Sequence, residues 1–518
     1  MRSKNSTQQE SDGAVYVNAE LSGAVKKDPD KMGFKEALGY GFGDLGNLMN
    51  LTLVSSYLKV YCTDYLLKGK ALGKKITDDI SNMVLFVRLW DVINDPIWGL
   101  FVDRRSPAKS GKFRHYLASV SFPLALSLII CFLPIRQLFP NASYTVLLVF
   151  SYLSYIFYGM MYTGMNIPYG SLATAMTSKG EERTLLSTTR NIGGGLGGGI
   201  VSLLGPILLY DKNDAGERSL FNNSHAFTFA VVMAVLGVIA YLLCYKTTKE
   251  RVQYAEKKEK LDLRLTYGSL FKSRPFITVT LAGMMISGLL QYQSFNQYLT
   301  KNYFADSTLS IYITASTYLP MVILILLMPK IAKRFGKKEV TTAGLAIATF
   351  FSLVLCLIGP NEQLRTHYMP FIITNFGVGA GYSFLSILTW AIVGDVIDYQ
   401  EVKTGIKNES AIYAVYTFSR KLGQTIADFG GLKLLGSYAG YDAEMIEKNK
   451  LAYIAPMGDK IYKMVSRGML IAYGITFVLF LFYPLNKKKL ADMQEELTVI
   501  RQQRMEALGE ANAEAEVN

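Results

Sequence analysis

Cysteine and histidine are scarce in this chain of 518 residues. The four cysteines fall in apolar segments and lack CxxC spacing, so the sequence predicts neither a disulfide framework nor a zinc site. The three histidines are scattered and do not support a histidine-based metal site. An enzyme would also need a nucleophile–base pair or a metal cluster, and no such His or Cys pattern is present. The sequence therefore predicts a protein without metal or cofactor that is not an enzyme.

Charged residues are also few, at 18% of the chain, whereas half of all residues are hydrophobic. Apolar stretches recur at about the 20 residues that a helix needs to span a bilayer. Examples are 144–165, 226–245, 312–329 and 469–485. This pattern predicts a multi-pass protein of the cell membrane, surrounded by lipid.

The net charge of +13 would indicate nucleic acid binding in a soluble protein. No basic region stands apart from the apolar spans, and in membrane proteins lysine and arginine collect in cytoplasmic loops. We therefore expect no nucleic acid partner.

Counting the apolar runs predicts twelve helices. Their approximate spans are 38–66, 81–103, 115–134, 143–174, 187–210, 224–245, 275–300, 308–329, 341–359, 368–394, 410–436 and 467–485. The basic segment 246–274 separates six spans from six and should be cytoplasmic by the positive-inside rule, which places both termini in the cytoplasm. The predicted organisation is a leader (1–37), two six-helix halves (38–245 and 275–485), the central loop (246–274) and a tail (486–518).

Two basic loops at equivalent places indicate a repeat. "DRRSPAKSGKFRHY" (103–116) follows the second span and "PKIAKRFGKKEV" (329–340) follows the eighth. Any cytoplasmic loop tends to be basic, but the shared position, length and Gly-Lys pair favour two parallel halves. That architecture is the major facilitator fold, an all-α membrane protein. The glycine run "NIGGGLGGGI" (191–200) opens no strand–helix unit, so it predicts close packing of the fifth span rather than a nucleotide loop.

The second span contains "RLWDVINDPIWG", with Arg88, Asp91, Asn94 and Asp95 within two helical turns. A charge at mid-bilayer costs about 2.5 kcal/mol or more, so such groups persist when they pair, face water or bind an ion. Two carboxylates and an amide oxygen suit Na⁺, and two adjacent carboxylates also favour proton binding. A structural salt-bridge network with Arg88 is the alternative, and it does not exclude function.

Five further motifs accompany this one. In chain order they are "YCTD" (61–64), "GKFRHY" (111–116), "MYTGMNIPYGSLA" (161–173), "GDVIDYQEVKTG" (394–405) and "NESAIYAVYTFSRKLG" (408–423). Together they resemble the glycoside–pentoside–hexuronide:cation symporter family across all twelve spans. The resemblance implies a secondary transporter that moves a sugar or glycoside with a monovalent cation by alternating access. An uncoupled uniporter or exchanger and, from another class, a lipid carrier of the same fold remain alternatives.

The resemblance also implies site residues. It places Asp91, Asn94, Asp95 and Thr417 at the cation, and Thr163, Asn166, Tyr169, Arg190 and Lys421 at the substrate. Leu48 stands where the family's best-known member has a sugar-binding aspartate, and we expect Asp44, one turn earlier, to substitute for it. Asn166 stands where the family pattern has a fourth-helix aspartate, and Gly170 stands where it has a tryptophan.

These departures make the predicted pocket less acidic. The substrate is then a glycoside, which includes an oligosaccharide or a uronide whose carboxylate Arg190 would grip. Fewer carboxylates favour H⁺ over Na⁺ as the coupling ion, although Na⁺ stays open. Asp395, Asp398 and Glu401 at the inner end of span ten are expected to pair with basic loops as a cytoplasmic gate. We expect the protein to function as a monomer.

Overall fold

The computed structural model describes residues 24–26, 32–105, 108, 110–177, 180–212, 218–254, 270–404, 409–447 and 451–517. Most of the predicted leader and the middle of the central loop therefore lie outside the described residues. The described chain is mainly helical and divides into two compact units. Unit 1 comprises Met1–Ala71, Phe86–Lys212 and Leu220–Lys260, and unit 2 comprises Leu72–Leu85, Asn213–Ser219 and Leu261–Asn518.

In the part of the chain that the structure describes, eight helices precede the central loop. They are α1 (Phe34–Tyr61, continued by a π-helical turn over Cys62–Leu66), α2 (Gly73–Arg104), α3 (Arg114–Ser119), α4 (Ser121–Cys131), α5 (Ile135–Leu138), α6 (Tyr144–Met176), α7 (Gly180–Leu208) and α8 (Asn223–Thr247). Strand β1 (Ala24–Lys26) pairs antiparallel with β4 (Val252–Tyr254), and β2 (Tyr210–Lys212) pairs with β3 (Arg218–Phe221).

Among the described residues, ten helices follow the loop. They are α9 (Arg274–Tyr292, continued by a 3-10 turn over Gln293–Phe295), α10 (Asn296–Asn302), α11 (Leu309–Phe335), α12 (Lys337–Ile358), α13 (Glu362–Thr366), α14 (Met369–Thr404), α15 (Glu409–Leu434, continued by a π-helical turn over Leu435–Ala439), α16 (Ala443–Glu447), α17 (Leu451–Leu481) and α18 (Lys487–Val517).

Every predicted span is mainly helical, and the differences lie at its ends. Among the described residues, eight helical stretches are long and apolar enough to cross a membrane. These stretches include α6, α8, α12 and α14, but not α1, α2 or α15. The last three helices carry charged residues in their interiors, such as Lys59, Asp91 and Lys421, which lower their hydropathy. The count of twelve membrane spans therefore stays a prediction.

Two helices extend well beyond their apolar runs. Helix α17 begins at Leu451 rather than 467, and its early residue Asp459 pairs with Arg365 at 2.6 Å. Helix α14 continues to Thr404 rather than 394, and so carries Asp395 within its regular structure. Charged residues interrupt the apolar pattern but not the helix, because ion pairs within unit 2 hold them.

Glycines bring α1 and α7 into close contact within unit 1. A Cβ on Gly193 would overlap the carbonyl oxygen of Gly41, and one on Gly197 would overlap that of Leu45. The prediction that the glycine run packs closely is thereby confirmed. Helices α9 and α15 of unit 2 pack in the same manner, since a Cβ on Gly288 would lie 2.8 Å from the carbonyl oxygen of Gly423.

The two basic loops share a backbone conformation. Gly111 and Gly336 have φ of +118° and +100°, which glycine adopts readily, and each immediately precedes a lysine. Glu250 accepts the backbone N–H groups of Lys112, Phe113 and Arg114 at 2.7–2.8 Å, which caps the start of α3. The glycines have this conformation in each unit, which supports the predicted repeat of the loops.

The tail forms the long helix α18. Met493 and Leu497 are buried, at 6% and 4% exposure, where α18 packs against α14. The Lys487 ammonium donates to the carbonyl oxygen of Arg334 at 2.8 Å. The first turns of the tail therefore dock on unit 2 rather than being solvated on all sides.

Candidate functional site

The acidic stretch of α2 lies against α6. The Arg88 guanidinium is 3.9 Å from a carboxylate oxygen of Asp91, and both side chains are largely buried. On α6, Gly159 leaves room for this carboxylate, because a Cβ there would lie 3.1 Å from Asp91 Oδ1. Arg88 thus lies one helical turn from Asp91 and supplies a weak ion pair, not a close bidentate one.

One turn further on, Asp95 accepts a hydrogen bond of 3.0 Å from the hydroxyl of Thr163 on α6. Asn94 between the two carboxylates is 2% exposed. Its Nδ2 has no hydrogen-bond partner among the described residues. The α2–α6 cluster, defined as Asp91, Asn94, Asp95 and Thr163, therefore offers two carboxylates, an amide and a hydroxyl in one place. These are hard oxygen ligands of the kind that bind small cations or a proton.

A second polar cluster joins α1, α6 and α7. Arg190 Nε lies 3.4 Å from Asp44 Oδ1, and the guanidinium lies 5.3 Å from the ring centroid of Tyr169. Tyr169 and Tyr40 stack at 4.6 Å, and each hydroxyl donates to the other residue's backbone carbonyl. The Asp44 carboxylate is thereby held beside Arg190, where both can hydrogen-bond sugar hydroxyls. Since 39% of the Arg190 side chain remains exposed, the guanidinium is accessible to a ligand.

Tyr162 lies on α6 next to Thr163 of the α2–α6 cluster and about two helical turns before Tyr169 of the second cluster. Asn166 lies one turn beyond Tyr162 on α6 and is partly buried. The structure therefore brings the predicted residues of α1, α2, α6 and α7 into one polar region of unit 1.

The remaining predicted site residues belong to unit 2. Thr417 and Lys421 lie one turn apart on α15 and are partly buried. The hydroxyl oxygen of Thr417 has no hydrogen-bond partner among the described residues. Near the end of α14, Asp395 pairs with Lys337 at 2.6 Å, Asp398 is partly buried, and Glu401 is 1% exposed. Lys337 belongs to the basic loop 329–340, and the sequence predicted that these acidic residues pair with basic loops.

The sequence pattern missed a cavity of about 100 Å³ in unit 2. Arg420, Trp390, Tyr416 and Ser287 line it, with further residues of α9, α14 and α17. The signal was present in "SRKLG", where two consecutive cations interrupt a span. Across the residues that the structure describes, no group of three or more His, Cys, Asp or Glu side chains is placed to hold a metal ion.

Long apolar helices with partly buried charges are typical of a multi-pass membrane protein. The fold is that of the major facilitator class: a D-xylose–proton symporter superposes with a TM-score of 0.57 at 13% identity. That comparison covers 86% of this chain and 97% of the symporter.

The chain belongs to the MFS/sugar transport protein family, whose model matches residues 39–487. It is 34% identical over 413 residues to an uncharacterised symporter of Bacillus subtilis (strain 168), covering 77% of this chain and 82% of the relative. It is 27% identical to the isoprimeverose transporter of Lactiplantibacillus pentosus, with 89% and 92% covered. A glucuronide carrier protein homologue of Escherichia coli (strain K12) is also 27% identical, with 90% and 96% covered. The predicted family resemblance and the fold class are confirmed.

Proposed function

We propose that this sugar transporter is a cation-coupled symporter that carries a sugar or glycoside into the cell. The observation that carries the proposal is the α2–α6 cluster, in which Asp95 accepts a hydrogen bond from Thr163 beside Asp91 and Asn94. Carboxylates in a membrane helix are costly and mark ion or proton pathways. The match to relatives described as symporters supports the same reading.

Coupling follows if the carrier changes conformation readily when loaded with both ligands or with none, and poorly with one. Each ligand then shifts the conformational equilibrium by its differential affinity for the two states. In unit 1 the cation would bind at Asp91, Asn94 and Asp95, and the sugar at Asp44, Thr163, Asn166, Tyr169 and Arg190. In unit 2, the family resemblance implies a part in cation binding for Thr417 and a part in substrate binding for Lys421. The major facilitator class operates by alternating access, in which the site opens to each side in turn.

Two features belong to the same proposal. We place the protein in the plasma membrane as a monomer with both termini in the cytoplasm. Asp395, Asp398 and Glu401 form part of a cytoplasmic gate, which the 2.6 Å Lys337–Asp395 ion pair supports. Breaking and remaking such a pair is a discrete step that a rocking transporter can use.

The test is Asp95→Asn in proteoliposomes with a sugar that the wild-type protein accumulates. An amide neither takes up the proton nor presents a full charge to Na⁺, so we expect gradient-driven accumulation to be abolished while counterflow exchange persists. Counterflow also shows that the variant is folded. Asp78→Asn is the matched control. Asp78 also lies on α2, but its ion pair with Lys433 is partly exposed, so we expect this variant to accumulate sugar normally. If Asp95→Asn accumulates sugar to the wild-type level, Asp95 does not belong to the coupling-cation site.

The same vesicles identify the ion. We favour H⁺ as the coupling ion, because a proton needs only one carboxylate as acceptor and two adjacent carboxylates can share it. Na⁺ instead needs several oxygen ligands to replace its hydration. Uptake is measured with a pH gradient alone and with a Na⁺ gradient alone at clamped pH. Accumulation driven by Na⁺ at clamped pH would overturn the proton assignment, and uniform equilibration in every gradient would favour an uncoupled carrier.

A further inference from the structure

Arg420 lies near the middle of α15 and lines the cavity of unit 2. Its Nε donates a hydrogen bond of 2.8 Å to the Ser287 hydroxyl of α9. Its guanidinium carbon lies 5.7 Å from the ring centroid of Trp390, and Trp390 in turn meets Tyr416 edge-on at 5.7 Å. Hydrogen bonding and ring contact therefore fix the position of this cation.

The charge of Arg420 is not matched by the cavity. Among the described residues, those that line the cavity have serine, threonine, tyrosine, tryptophan and apolar side chains besides Arg420, but no aspartate or glutamate. Among the described residues, Arg420 forms no ion pair, and its Nη groups donate no hydrogen bond to another side chain or to the backbone. A cation held in a membrane helix without a counter-charge is costly and is retained where a ligand supplies that charge.

We propose that this cavity is a subsite for the anionic group of a charged sugar, a carboxylate or a similar oxyanion. A guanidinium fork matches a planar oxyanion, and Ser287 holds Nε so that the Nη groups remain for the ligand. Ser386 and Thr389 add hydroxyls, and Trp390 adds apolar surface. The cavity of about 100 Å³ holds a few water-sized groups, which suits one end of a sugar rather than all of it.

The subsite revises the part expected of Arg190. Asp44 already supplies a counter-charge to Arg190 at 3.4 Å, so a substrate carboxylate there would meet a carboxylate of the protein. Arg420 has no such neighbour among the described residues and is the better anchor for an anion. This inference rests on the proposed transport function, whose substrate class it narrows to uronides and other anionic sugars.

The experiment uses the full-length protein in nanodiscs and a matched pair of ligands. Methyl β-D-glucuronide and methyl β-D-glucoside differ only in a carboxylate, and each is titrated by calorimetry. We expect the wild-type protein to bind the glucuronide about tenfold more tightly, which corresponds to one charge-assisted hydrogen-bonded contact. Arg420→Gln should bring the two affinities together, and Arg420→Lys should keep part of the difference. Arg334→Gln removes an exposed guanidinium of unit 2 and should leave the preference unchanged.

Three results would overturn the subsite: no preference for the glucuronide in the wild-type protein, a preference that survives in folded Arg420→Gln, or no binding of the glucuronide at millimolar concentration. The first and third of these results come from the wild-type protein alone. They can therefore overturn the proposal even if the Arg420 variants do not fold. Cation-driven uptake of neutral glycosides without a preference for uronides would contradict the subsite alone. Arg420-dependent binding of the glucuronide without cation-driven accumulation would contradict the coupling alone.

Discussion

Charged side chains inside the helices of this transporter are held by specific neighbours. Asp44 lies against Arg190, Asp95 accepts the Thr163 hydroxyl, and Asp395 pairs with Lys337. Removing one member of a buried pair leaves the other charge uncompensated, which costs more than the intact pair contributes. Substitutions at these positions therefore need a readout that separates folding from ligand binding.

Arg190→Lys tests whether Arg190 binds the sugar. A lysine keeps the charge, but its flexible point charge cannot reproduce the planar fork beside Asp44 or the stacking over Tyr169. We expect substrate affinity to fall about tenfold, the loss of one charge-assisted hydrogen bond, while the protein remains folded by size-exclusion chromatography. Affinity is measured by calorimetry with the transported sugar.

Arg365→Lys serves as the control for this substitution, because Arg365 pairs with Asp459 at 2.6 Å and lies outside the predicted site. An unchanged substrate affinity in a folded Arg190→Lys protein would assign Arg190 a structural role.

Glycine patterns determine how closely the helices approach each other. In "GGGLGGG" of α7, Gly193 and Gly197 face the backbone of α1, whereas a Cβ on Gly195 would have nothing within 4 Å. In unit 2, Gly423 of α15 faces the carbonyl of Met284 in α9. Small residues allow backbones to approach closely in membranes, where the hydrophobic effect no longer drives helices together.

Gly197→Ala and Gly195→Ala form a matched pair that measures this contact. The first places a methyl group onto the carbonyl oxygen of Leu45, so we expect a loss of about 1–3 kcal/mol or more in the free energy of unfolding. The second meets open space and should be neutral, or stabilising by up to about 1 kcal/mol through helix propensity. Thermal unfolding of the purified proteins gives both values. Equal stability of the two variants would refute the close contact between α1 and α7.

The predicted orientation of the protein in the membrane can be checked by labelling cysteines from one side. Of the native cysteines, Cys62, Cys131 and Cys244 are buried and Cys356 is partly buried, so the wild-type protein should react slowly with a membrane-impermeant maleimide. Single cysteines at exposed positions then report on the side of the membrane.

Lys488→Cys follows the last predicted span and Asn141→Cys lies between the third and fourth spans; both positions are exposed. With twelve spans and a cytoplasmic tail, we expect Asn141→Cys to react in intact cells and Lys488→Cys to react only after the membrane is opened. Cys-free protein with each substitution removes the residual signal of Cys356. The reverse pattern would invert the topology, and labelling of both sites in intact cells would contradict the odd number of spans, nine, that is predicted between the two positions.

The sequence by itself determined the features that arise from neighbouring residues. Apolar runs predicted the positions of the helices, and the spacing of Asp91, Asn94 and Asp95 placed them on one face of α2. The motifs indicated a sugar transporter family that the comparisons confirm. Each of these signals is contained within about 20 residues, because helical periodicity and bilayer thickness act over that length.

Only the tertiary structure decided which distant residues meet. Asp44 and Arg190 are far apart in the chain, yet packing of α1 on α7 through glycine places them 3.4 Å apart. The same holds for Ser287 and Arg420, whose hydrogen bond depends on close packing of α9 and α15. The sequence marked Arg190 as the residue for a substrate anion, but the structure places Asp44 beside it, and we therefore propose Arg420 for that part. The charge around a side chain depends on its neighbours in space.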